Sequence, residues 1–405
     1  MQQVKRPIYL DFHSTTPVEL SVLDAMLPCF TTNFGNPASR SHPYGWQASE
    51  AVEQARQQVA DLLTVRKEEI FFTSGSTEGL NMAIKGLAES LSHKGKHIIT
   101  VSTEHHAVLD SLASIEKKGF EVSRLQVTAK GQFDPELLIQ NFRSDSIMVV
   151  VMMANNETGT IHDVNAIGEL CSARGIVFIS DTTQAAGKIP VKPVVSNMDV
   201  AVMSAHKMYG PKGAGAIYIA KNDKKLKPKA LIHGGGHEMG YRSGTLNVPG
   251  IVGLGAAAKL FMSDTQHVSS AIDDLRNEFE SRILNNLEHV QVNGDVDNRL
   301  YSVSNLKVMH VDSQAVMTKL RTRVSFSSGS ACSSADPSPS HVLLAMGLSP
   351  AEAKGSFRFS FGRQTTMEEV KTAAALFMDA VNEYRSESPV WQMFKKGLDV
   401  SSSGI

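Results

Sequence analysis

The residues best suited to chemistry lie in the stretch Ser204 to Gly213, where Lys207 stands among small, hydroxyl and imidazole side chains. The apolar run Val200 to Met203 precedes it, and a turn rich in glycine and proline follows. A desolvated lysine amine with a lowered pKa is a good nucleophile, and the chemistry that most needs one is Schiff-base formation with an aldehyde, usually pyridoxal phosphate. A solvated surface lysine is the ordinary alternative, so the interpretation depends on the residues that accompany Lys207.

Four further groups of polar residues each follow an apolar run. Gly75 to Thr77 opens a predicted helix, where backbone amides and neighbouring hydroxyls make a phosphate cradle. His105 has an imidazole that could stack on a planar ring or move protons. Asn156 could hold a ring hydroxyl or a carboxylate. Asp181 could keep a pyridinium nitrogen protonated, which turns the ring into an electron sink, and Gln184 follows close behind.

Each of these groups also has an ordinary structural interpretation, such as a helix cap, a turn or a packed histidine. Metal binding is less favoured, because the helical His-x-x-x-His spacing is missing. What favours a common site is that every group follows a predicted strand. Ligands of open parallel sheets gather beyond the carboxyl ends of the strands. The joint placement therefore predicts one cofactor site rather than five independent turns.

Cys332 lies in the run Ser325 to Ala335, which apart from Phe326 contains only serine, glycine, alanine and the cysteine itself. Such a run is poorly suited to a core element and predicts a mobile loop. A small buried hydrophobe is the common alternative for a lone cysteine, but this setting is not apolar, which favours a reactive thiol. Cys29 and Cys171 form no CxxC pair with it, so neither a disulfide framework nor a zinc knuckle is indicated and a reducing compartment fits best.

Predicted strands and helices alternate through the first two thirds of the chain. Helices are predicted over 48–63, 77–91, 106–118 and 164–174, and strands over 69–73, 96–101, 147–153 and 176–180. This alternation predicts an α/β fold with a largely parallel sheet. Beyond residue 250 a long helical region extends to about Leu287, and short strands and a terminal helix follow. The sequence therefore predicts a second, smaller α+β domain, with the boundary near residue 262.

Length and composition set the bounds of these predictions. The chain has 405 residues, of which 42% are hydrophobic and 20% charged, so it can bury a substantial core in two domains. The formal net charge of -1 gives no reason to expect nucleic acid or an anionic membrane as a partner. Ile8 to Asp11 follows the N-terminus without an apolar signal core, and no later apolar run is long enough to span a bilayer. We therefore expect a cytoplasmic protein.

Motifs along nearly the whole chain resemble those of the cysteine desulfurases of the NifS/IscS type. These enzymes are members of the class V aminotransferase group and have the fold-type I pyridoxal phosphate architecture. The motifs are Tyr9 to Asp11, Thr15 to Pro17, Gly35 to His42, Thr73 to Glu78, Asn155 to Glu157, Ser204 to Gly213, His233 to Glu238, Arg242 to Thr245, Ser327 to Cys332 and Arg358 to Arg363. The serine-rich cysteine motif resembles the branch with a long, flexible catalytic loop.

The resemblance implies the cofactor contacts. Lys207 would bond covalently to pyridoxal phosphate, Asp181 would contact the pyridine nitrogen, Gln184 the ring hydroxyl, and His105 would stack on the ring and act as an acid-base partner. The residues implied for the phosphate are Gly75, Ser76, Thr77, Ser204, His206 and, from a second subunit of a homodimer, Thr245.

The resemblance also implies the substrate and the reaction. Asn36, Asn156 and Arg358 would hold the carboxylate of L-cysteine, and a guanidinium suits this task because it grips a carboxylate through two parallel hydrogen bonds. Cys332 would take the substrate sulfur as a persulfide, leaving alanine. Acceptors such as an iron-sulfur scaffold, or a carrier for tRNA thiolation, would then receive the sulfur. The implied large domain is 14–262, and the small domain is 1–13 and 263–405, with the catalytic loop at about 325–340.

Two other functions remain open at this point. A selenocysteine lyase or a related lyase would use the same cofactor residues. A sulfur-relay platform would instead dock acceptors, for instance through exposed aromatic residues in the segment 389–394, although ordinary packing of that segment is an equal alternative. Some positions also depart from the commonest wording of the family. They are Ser14, Ser76, Gly79, Thr182 and Ala205. All are small, but Gly79 in an early helical turn is expected to loosen the phosphate end slightly.

Overall fold

The computed structural model describes residues 6–263, 265–328 and 338–397. The helices are α1 (Leu20–Met26), α2 (Pro28–Thr31), α3 (Pro43–Leu63), α4 (Ser76–Leu91), α5 (His106–Glu116), α6 (Pro135–Asn141), α7 (Val164–Ser172), α8 (Val248–Ser263), α9 (Thr265–Asn286), α10 (Ser313–Leu320), α11 (His341–Ala345), α12 (Pro350–Lys354), α13 (Met367–Glu387) and α14 (Pro389–Lys395). The strands are β1 (Ile8–Tyr9), β2 (Ile70–Thr73), β3 (His97–Val101), β4 (Glu121–Leu125), β5 (Ser146–Val150), β6 (Val177–Asp181), β7 (Val200–Ser204), β8 (Gly215–Ile219), β9 (Val290–Val292), β10 (Val303–Val308), β11 (Val324–Ser325), β12 (Ser327–Ser328) and β13 (Ser356–Ser360).

The largest sheet has seven strands in the order β2-β8-β7-β6-β5-β3-β4, and all of them run the same way except β8. Its inner strands are buried along nearly their whole length because helices cover both faces. Neighbouring residues of β5 show this, since Val149 and Val150 belong to hydrophobic clusters on opposite faces. The prediction of an α/β fold with a mainly parallel sheet is therefore confirmed.

The direction of the strands brings the predicted site residues together. Because β2, β3, β5, β6 and β7 run the same way, their carboxyl ends meet at one edge of the sheet. The chain leaves these ends toward Gly75, His105, Asn156, Asp181 and Lys207 respectively. The edge of the sheet therefore gathers residues that lie far apart in the sequence.

A second sheet has four antiparallel strands in the order β12-β13-β10-β9. Its core is rich in phenylalanine. The ring centroids of Phe279 in α9 and Phe359 in β13 lie 4.6 Å apart, and Phe377 in α13 lies 5.1 Å from Phe359. Offset and edge-on contacts of this kind stabilise aromatic cores beyond their buried area.

We propose that the chain divides into a large domain, 14–262, and a small domain, 1–13 and 263–405. Phe261 packs in the cluster of the large sheet, whereas Ile272 packs in the cluster of the small sheet. Near the N-terminus, Leu10 belongs to the small cluster and Phe12 to the large one. The proposed boundaries follow these changes in packing.

The segment predicted as a catalytic loop, about 325–340, is only partly described. Its first residues form short strands, since Val324–Ser325 pairs with β1 and Ser327–Ser328 pairs with β13. At its other end, the side chain of Ser340 accepts from Leu343 N and caps α11. The prediction of a loop from Ser325 onward was therefore wrong for Ser325, Ser327 and Ser328. Cys332 lies outside the described residues.

Candidate active site

A cavity of about 420 Å³ opens at the carboxyl edge of the large sheet. This volume is within the range of small-molecule sites, about 300–1,000 Å³. The predicted residues that line it are Gly75, Ser76, Thr77, His105, Asn156, Asp181, Gln184, Ser204, His206 and Lys207. The structure thus brings the five predicted groups to one place.

The start of α4 forms the anion-binding end of the cavity. Its first amides have no partner within the helix, and in the described part of the chain no side chain caps them. Gly75 has a φ of +151°, and a Cβ built there would lie 3.5 Å from Oγ of Ser204. The glycine therefore keeps open a space between helix amides and a hydroxyl, which suits a phosphate.

Gly79 holds the helix close to the sheet. A Cβ at this position would lie 2.7 Å from Cγ1 of Val202 in β7, which is closer than two carbon atoms can approach. Gly79 was expected to loosen the phosphate end of the helix, but that prediction used helix propensity alone and left out the packing of α4 on β7. Because only glycine fits here, α4 can approach β7 and bring its N-terminus next to Ser204.

A hydrogen-bonded chain orients the carboxylate of Asp181. Thr183 donates its backbone N–H to Oδ1 of Asp181 over 2.9 Å, and its hydroxyl also donates to that oxygen. Oγ1 of Thr183 lies 2.6 Å from Oγ of Ser76. One carboxylate oxygen is therefore held from the protein side, while Asp181 also lines the cavity and can meet a cationic ring nitrogen there.

Burial disfavours the charged form of two histidines in the cavity wall. Burial holds the pKa of His105 below its usual value, Asp181 opposes this shift, and the charge of Lys207 adds to it. Nδ1 of His105 accepts from Ala107 N over 3.0 Å, so the neutral ring carries its proton on Nε2. Burial and the neighbouring lysines lower the pKa of His206 to about 4. A neutral, aromatic His105 suits both stacking on a ring and proton transfer.

Lys207 stands in the 3-10 turn Ala205–Lys207 that follows β7. Its Nζ donates to the backbone oxygens of His13, over 2.6 Å, and of Ser14, over 2.8 Å. These carbonyls hold the amine at the cavity wall. The turn itself is stabilised by the N–H of Gly210 on the oxygen of Ala205, over 2.9 Å.

Asn156 is positioned by a tight turn that its neighbour forms. Oδ1 of Asn155 accepts from the N–H groups of Glu157, over 2.8 Å, and of Thr158, over 3.0 Å. Asn155 also donates from Nδ2 to the oxygen of Thr103 over 3.1 Å, which ties this turn to the loop after β3. Asn156 thereby faces the cavity.

Arg358 lies in β13, is 2% exposed, and contacts the turn that carries Asn156. Its Nη1 donates to the oxygen of Asn156 over 3.2 Å, and its Nη2 donates to Oδ1 of Asp11 over 2.9 Å and to Oγ of Ser14 over 2.6 Å. The hydroxyl that departs from the family pattern at position 14 thus contacts this guanidinium. Nε is buried and has no hydrogen-bond partner among the described residues. Such a group can accept a further anionic partner.

The described ends of the Cys332 segment are attached to this same region. Oγ of Ser327 donates to Oδ1 of Asp11 over 2.9 Å, the oxygen that also binds Arg358. Oγ of Ser340 donates to Oε2 of Glu157 over 2.6 Å, directly beside Asn156. The described residues Ser327 and Ser340, on either side of that segment in the sequence, therefore lie near the guanidinium of Arg358 and the turn of Asn156.

Three of the predicted residues that the structure describes do not line the cavity, namely Arg358, Asn36 and Thr245. Arg358 contacts the wall through the backbone oxygen of Asn156. Asn36 is exposed, and its Oδ1 accepts from Ala38 N over 3.0 Å. Thr245 is also exposed. Neither residue contacts the cavity within one chain, so their implied roles stay predictions.

Several contributing residues were not singled out from the sequence. Thr183 could have been recognised, because a hydroxyl two positions after an aspartate commonly bonds back to it. Nothing in the sequence around His13 indicates that its backbone oxygen binds Lys207. Glu104 is buried, and burial raises its pKa well above the usual value while Oε1 accepts from Met152 N over 2.6 Å. Burial therefore favours the protonated form of this carboxyl, which directly precedes His105 in the chain.

Other described features bear on the function classes considered. Trp391 is only 7% exposed and packs against the guanidinium of Arg385 at 4.1 Å from the ring centroid, which agrees with the packing alternative for this residue. Within residues 6–263, 265–328 and 338–397 no group of three or more acidic, histidine or cysteine side chains could hold a metal ion. None of the helices in these ranges is long and apolar enough to cross a membrane.

Comparison with known proteins agrees with this arrangement. Residues 8–372 match the family described as Aminotransferase class-V. The chain is 46% identical over 398 residues to "Cysteine desulfurase IscS" of Anaeromyxobacter sp. (strain Fw109-5), with 98% of each chain covered. Two solved structures are also similar. "NIFS-LIKE PROTEIN" has a TM-score of 0.86 and 32% identity and covers 93% of this chain and 100% of its own. "SspA in complex with cysteine" has a TM-score of 0.78 and 34% identity and covers 89% and 100%.

These relatives confirm the resemblance and the fold-type I architecture that the motifs imply. A match along nearly the full length of both chains leaves no large part of the described fold outside it. The chain belongs to the class V aminotransferase family, and within it to the cysteine desulfurases of the NifS/IscS type.

Proposed function

We propose that this protein removes sulfur from L-cysteine in a reaction that depends on pyridoxal phosphate, giving L-alanine and a persulfide on Cys332. The observation that carries the proposal is the convergence of Lys207, Asp181 and the uncapped start of α4 on one cavity. An amine, a carboxylate and a phosphate cradle are the groups that this cofactor requires. The named relatives and their cysteine complex support the choice of substrate.

The described residues fit the cofactor in chemistry and in space. The space beside Gly75, which a Cβ would fill, lies between the amides of α4 and Oγ of Ser204 and suits the phosphate. Thr77 and His206 line the same cavity. Asp181 would pair with the ring nitrogen, Gln184 would donate to the ring oxygen, and His105 would stack on the ring. Lys207 would hold the cofactor covalently through Nζ.

Pyridoxal phosphate, when bound, supplies an electron sink that acidifies the proton on Cα of the bound cysteine. Nζ of Lys207, once the amine of cysteine has displaced it, would take this proton as a general base, and His105 would act as the acid-base partner early in the path. Arg358 and Asn156 orient the substrate by its carboxylate. The guanidinium is suited to this because its Nε is buried and has no partner among the described residues.

Cys332 removes the sulfur from the substrate. Its thiolate attacks the sulfur of the substrate, so that an S–S bond forms and the bond between Cβ and sulfur breaks. Cβ takes the electron pair of the broken bond and then a proton, and Cα regains the proton that Lys207 removed, which gives alanine. The sulfur is left on Cys332 as a persulfide. The ends of this segment, Ser327 and Ser340, bind beside the substrate-holding groups and support this assignment.

The homodimer, the role of Asn36 and the sulfur acceptors are further parts of this proposal. A homodimer would let Thr245 reach the phosphate of the other subunit, and the exposure of Thr245 in one chain is compatible with this. Asn36 would join the substrate site. Acceptor proteins such as an iron-sulfur scaffold, or carriers for tRNA thiolation, would take the sulfur in the cytoplasm.

Mass spectrometry after brief exposure to L-cysteine tests the proposal directly. We expect the peptide that contains Cys332 to gain the mass of one sulfur atom, with an equal amount of alanine formed. Addition of a thiol should remove that sulfur as sulfide. Alanine formation with no sulfur gained on Cys332 would contradict the assignment of the acceptor thiol, and no alanine at all from protein loaded with cofactor would contradict the function.

Replacement of Arg358 by methionine is expected to weaken substrate binding. The Michaelis constant for cysteine should rise at least about 30-fold, since truncating one partner of a buried charge pair costs about 2 kcal/mol or more. Alanine formation measured over a range of cysteine concentrations gives this constant. Arg323→Met, at an exposed arginine close by in the small domain, is the matched control and should leave it unchanged.

A second variant separates binding from folding. Arg358→Met also leaves the carboxylate of Asp11 without its charged partner, which should lower the unfolding temperature. Adding Asp11→Asn removes that unpaired charge, so stability should recover while the Michaelis constant stays high. An unchanged constant in a folded Arg358→Met protein would refute the role of the guanidinium.

A further inference from the structure

Lys188 occupies an unusual position behind the active site. Its Nζ donates to the backbone oxygen of Gln184 over 3.1 Å, to Oε1 of Gln184 over 3.2 Å and to the backbone oxygen of Lys207 over 3.3 Å. An ammonium group has three hydrogens to donate, and these three acceptors match them. Both residues that it binds line the 420 Å³ cavity, whereas Lys188 is not among the described residues of that wall.

The amide of Gln184 is fixed from both of its ends. Nε2 donates to the backbone oxygen of His13 over 3.0 Å, and Oε1 accepts from Lys188. A carbonyl oxygen can only accept and an ammonium can only donate. Rotating the amide of Gln184 by 180° would place Oε1 against the oxygen of His13 and Nε2 against Nζ of Lys188. The oxygen pair would then lack a hydrogen between its atoms, and the two donors would face each other. The amide therefore keeps one orientation, in which the NH₂ group is the end held beside Lys207.

This orientation decides what Gln184 can offer to a ligand. Nε2 carries two hydrogens, and the oxygen of His13 takes only one of them. The second hydrogen remains for a group in the cavity that Gln184 lines. Because Oε1 of Gln184 already accepts from Lys188, Gln184 acts toward a ring oxygen as a donor and not as an acceptor.

The same contacts close a ring of hydrogen bonds around the lysine that carries the cofactor. The oxygen of His13 accepts from both Gln184 and Nζ of Lys207, and Lys188 joins Gln184 to the backbone of Lys207. No carboxylate among the described residues pairs with Lys188. Burial, together with the charge of Lys207, lowers the pKa of Lys188 to about 7. A neutral amine still has two hydrogens to donate to these acceptors, and the oxygen of His13 still requires the N–H end of Gln184. The orientation of the amide therefore does not depend on the charge of Lys188.

We propose that Lys188 is a positioning residue that fixes the amide of Gln184 so that its N–H, and not its oxygen, meets the ring oxygen of the cofactor. The proposal rests on the proposed function, because it assumes pyridoxal phosphate in the cavity. Lys188 acts through Gln184 and through the backbone of Lys207 without touching the substrate.

A double-mutant cycle on cofactor affinity tests this role. Lys188→Met removes the donors while keeping an unbranched side chain, and Gln184→Leu removes the amide. Each single variant should bind pyridoxal phosphate about fivefold more weakly, the size of one ordinary hydrogen bond. The combined variant should also be about fivefold weaker, rather than about 25-fold, since both changes remove the same contact. Lys192→Met, an exposed lysine four residues away, is the matched control and should bind like the wild type.

The visible absorption of the bound cofactor gives a second readout. The pH midpoint of its colour change should shift in Lys188→Met by the same amount and in the same direction as in Gln184→Leu. Additive losses of affinity, or a wild-type midpoint in Lys188→Met, would overturn the role of Lys188. Circular dichroism and thermal unfolding of the apoprotein show whether the methionine variant folds. If it does not, Lys188→Gln enters the same cycle, with a smaller shift of the same direction expected.

Different results would overturn the proposed function and the role of Lys188. A wild-type protein that binds no pyridoxal phosphate would overturn the proposed function, and the role of Lys188 with it. A wild-type protein that binds the cofactor normally, beside variants whose losses add, would overturn only the role of Lys188.

Discussion

Replacing Lys207 with alanine is expected to reduce alanine formation from cysteine at least about 1,000-fold. The amine at this position has two tasks, covalent attachment of the cofactor and removal of the proton from Cα, and a positioned general base alone contributes about 10²–10⁴-fold. The phosphate cradle at α4 and the carboxylate of Asp181 remain in the variant. We therefore expect Lys207→Ala to retain pyridoxal phosphate weakly, in a form that dialysis removes.

Borohydride reduction distinguishes this outcome from simple misfolding. In wild-type protein soaked with pyridoxal phosphate, reduction should fix one adduct, on the peptide that contains Lys207. In Lys207→Ala the adduct should be absent, although cofactor is still present before dialysis. Lys192→Ala, at an exposed lysine, is the control and should behave like the wild type. Turnover in the alanine variant, or an adduct mapped to another lysine of the wild type, would contradict the assignment.

The large sheet and the residues at its edge were predictable for one physical reason. Parallel strands covered on both faces are continuous apolar runs, so β3, β5 and β6 stand out in the sequence, and each polar residue after them must lie at the same edge. β4 was not predicted, because Glu121–Leu125 pairs on one side only and is largely exposed or half-buried. β5 ends at Val150 rather than Met153, although the N–H groups of Val151 and Met153 still donate to the oxygens of Ile179 and Asp181. The turn that brings Asn156 toward the cavity begins at Asn155.

The pairing of Arg358 with Asp11 could not be predicted in the same way. These residues are 347 positions apart, and their contact depends on how the N-terminal segment crosses between the two sheets. The spacing of residues in the sequence does not indicate how that segment crosses. The contact of Ser14 with the same guanidinium was missed for the same reason, although the departure from the family pattern was visible.

Lys188 shows a second limit of prediction from sequence. A lysine after a glycine, near a proline, is typical of a solvated turn, and only the fold reveals that three acceptor oxygens surround its amine. Thr183 is the opposite case, because its effect on Asp181 is local and follows from spacing alone. Local hydrogen bonds could therefore be predicted from the sequence, whereas hydrogen-bond networks that join several loops could not.

Replacing Cys332 with serine is expected to abolish both alanine formation and sulfide release, with a loss of at least about 1,000-fold, the scale of removing a nucleophile. A thiolate is the form of cysteine that attacks sulfur, and a serine hydroxyl at neutral pH offers neither the charge nor the polarizability. Cofactor binding should be unaffected, because no cofactor-holding residue is changed. The measurements are alanine and sulfide formed in the presence of a thiol.

The other cysteines provide a strict control for this prediction. Cys29 and Cys171 are buried free thiols, and burial raises the pKa of Cys171 to about 12, so neither is suited to attack. The chain has three cysteines, and Cys29→Ala/Cys171→Ala leaves Cys332 as the only one. That protein should keep its activity and gain one sulfur per chain from cysteine. If Cys332→Ser instead sustained turnover, above all on selenocysteine, the sulfur would leave without a protein nucleophile and the chain would act as a lyase. The outcome therefore decides between a persulfide-forming desulfurase and its nearest rival on the same cofactor site.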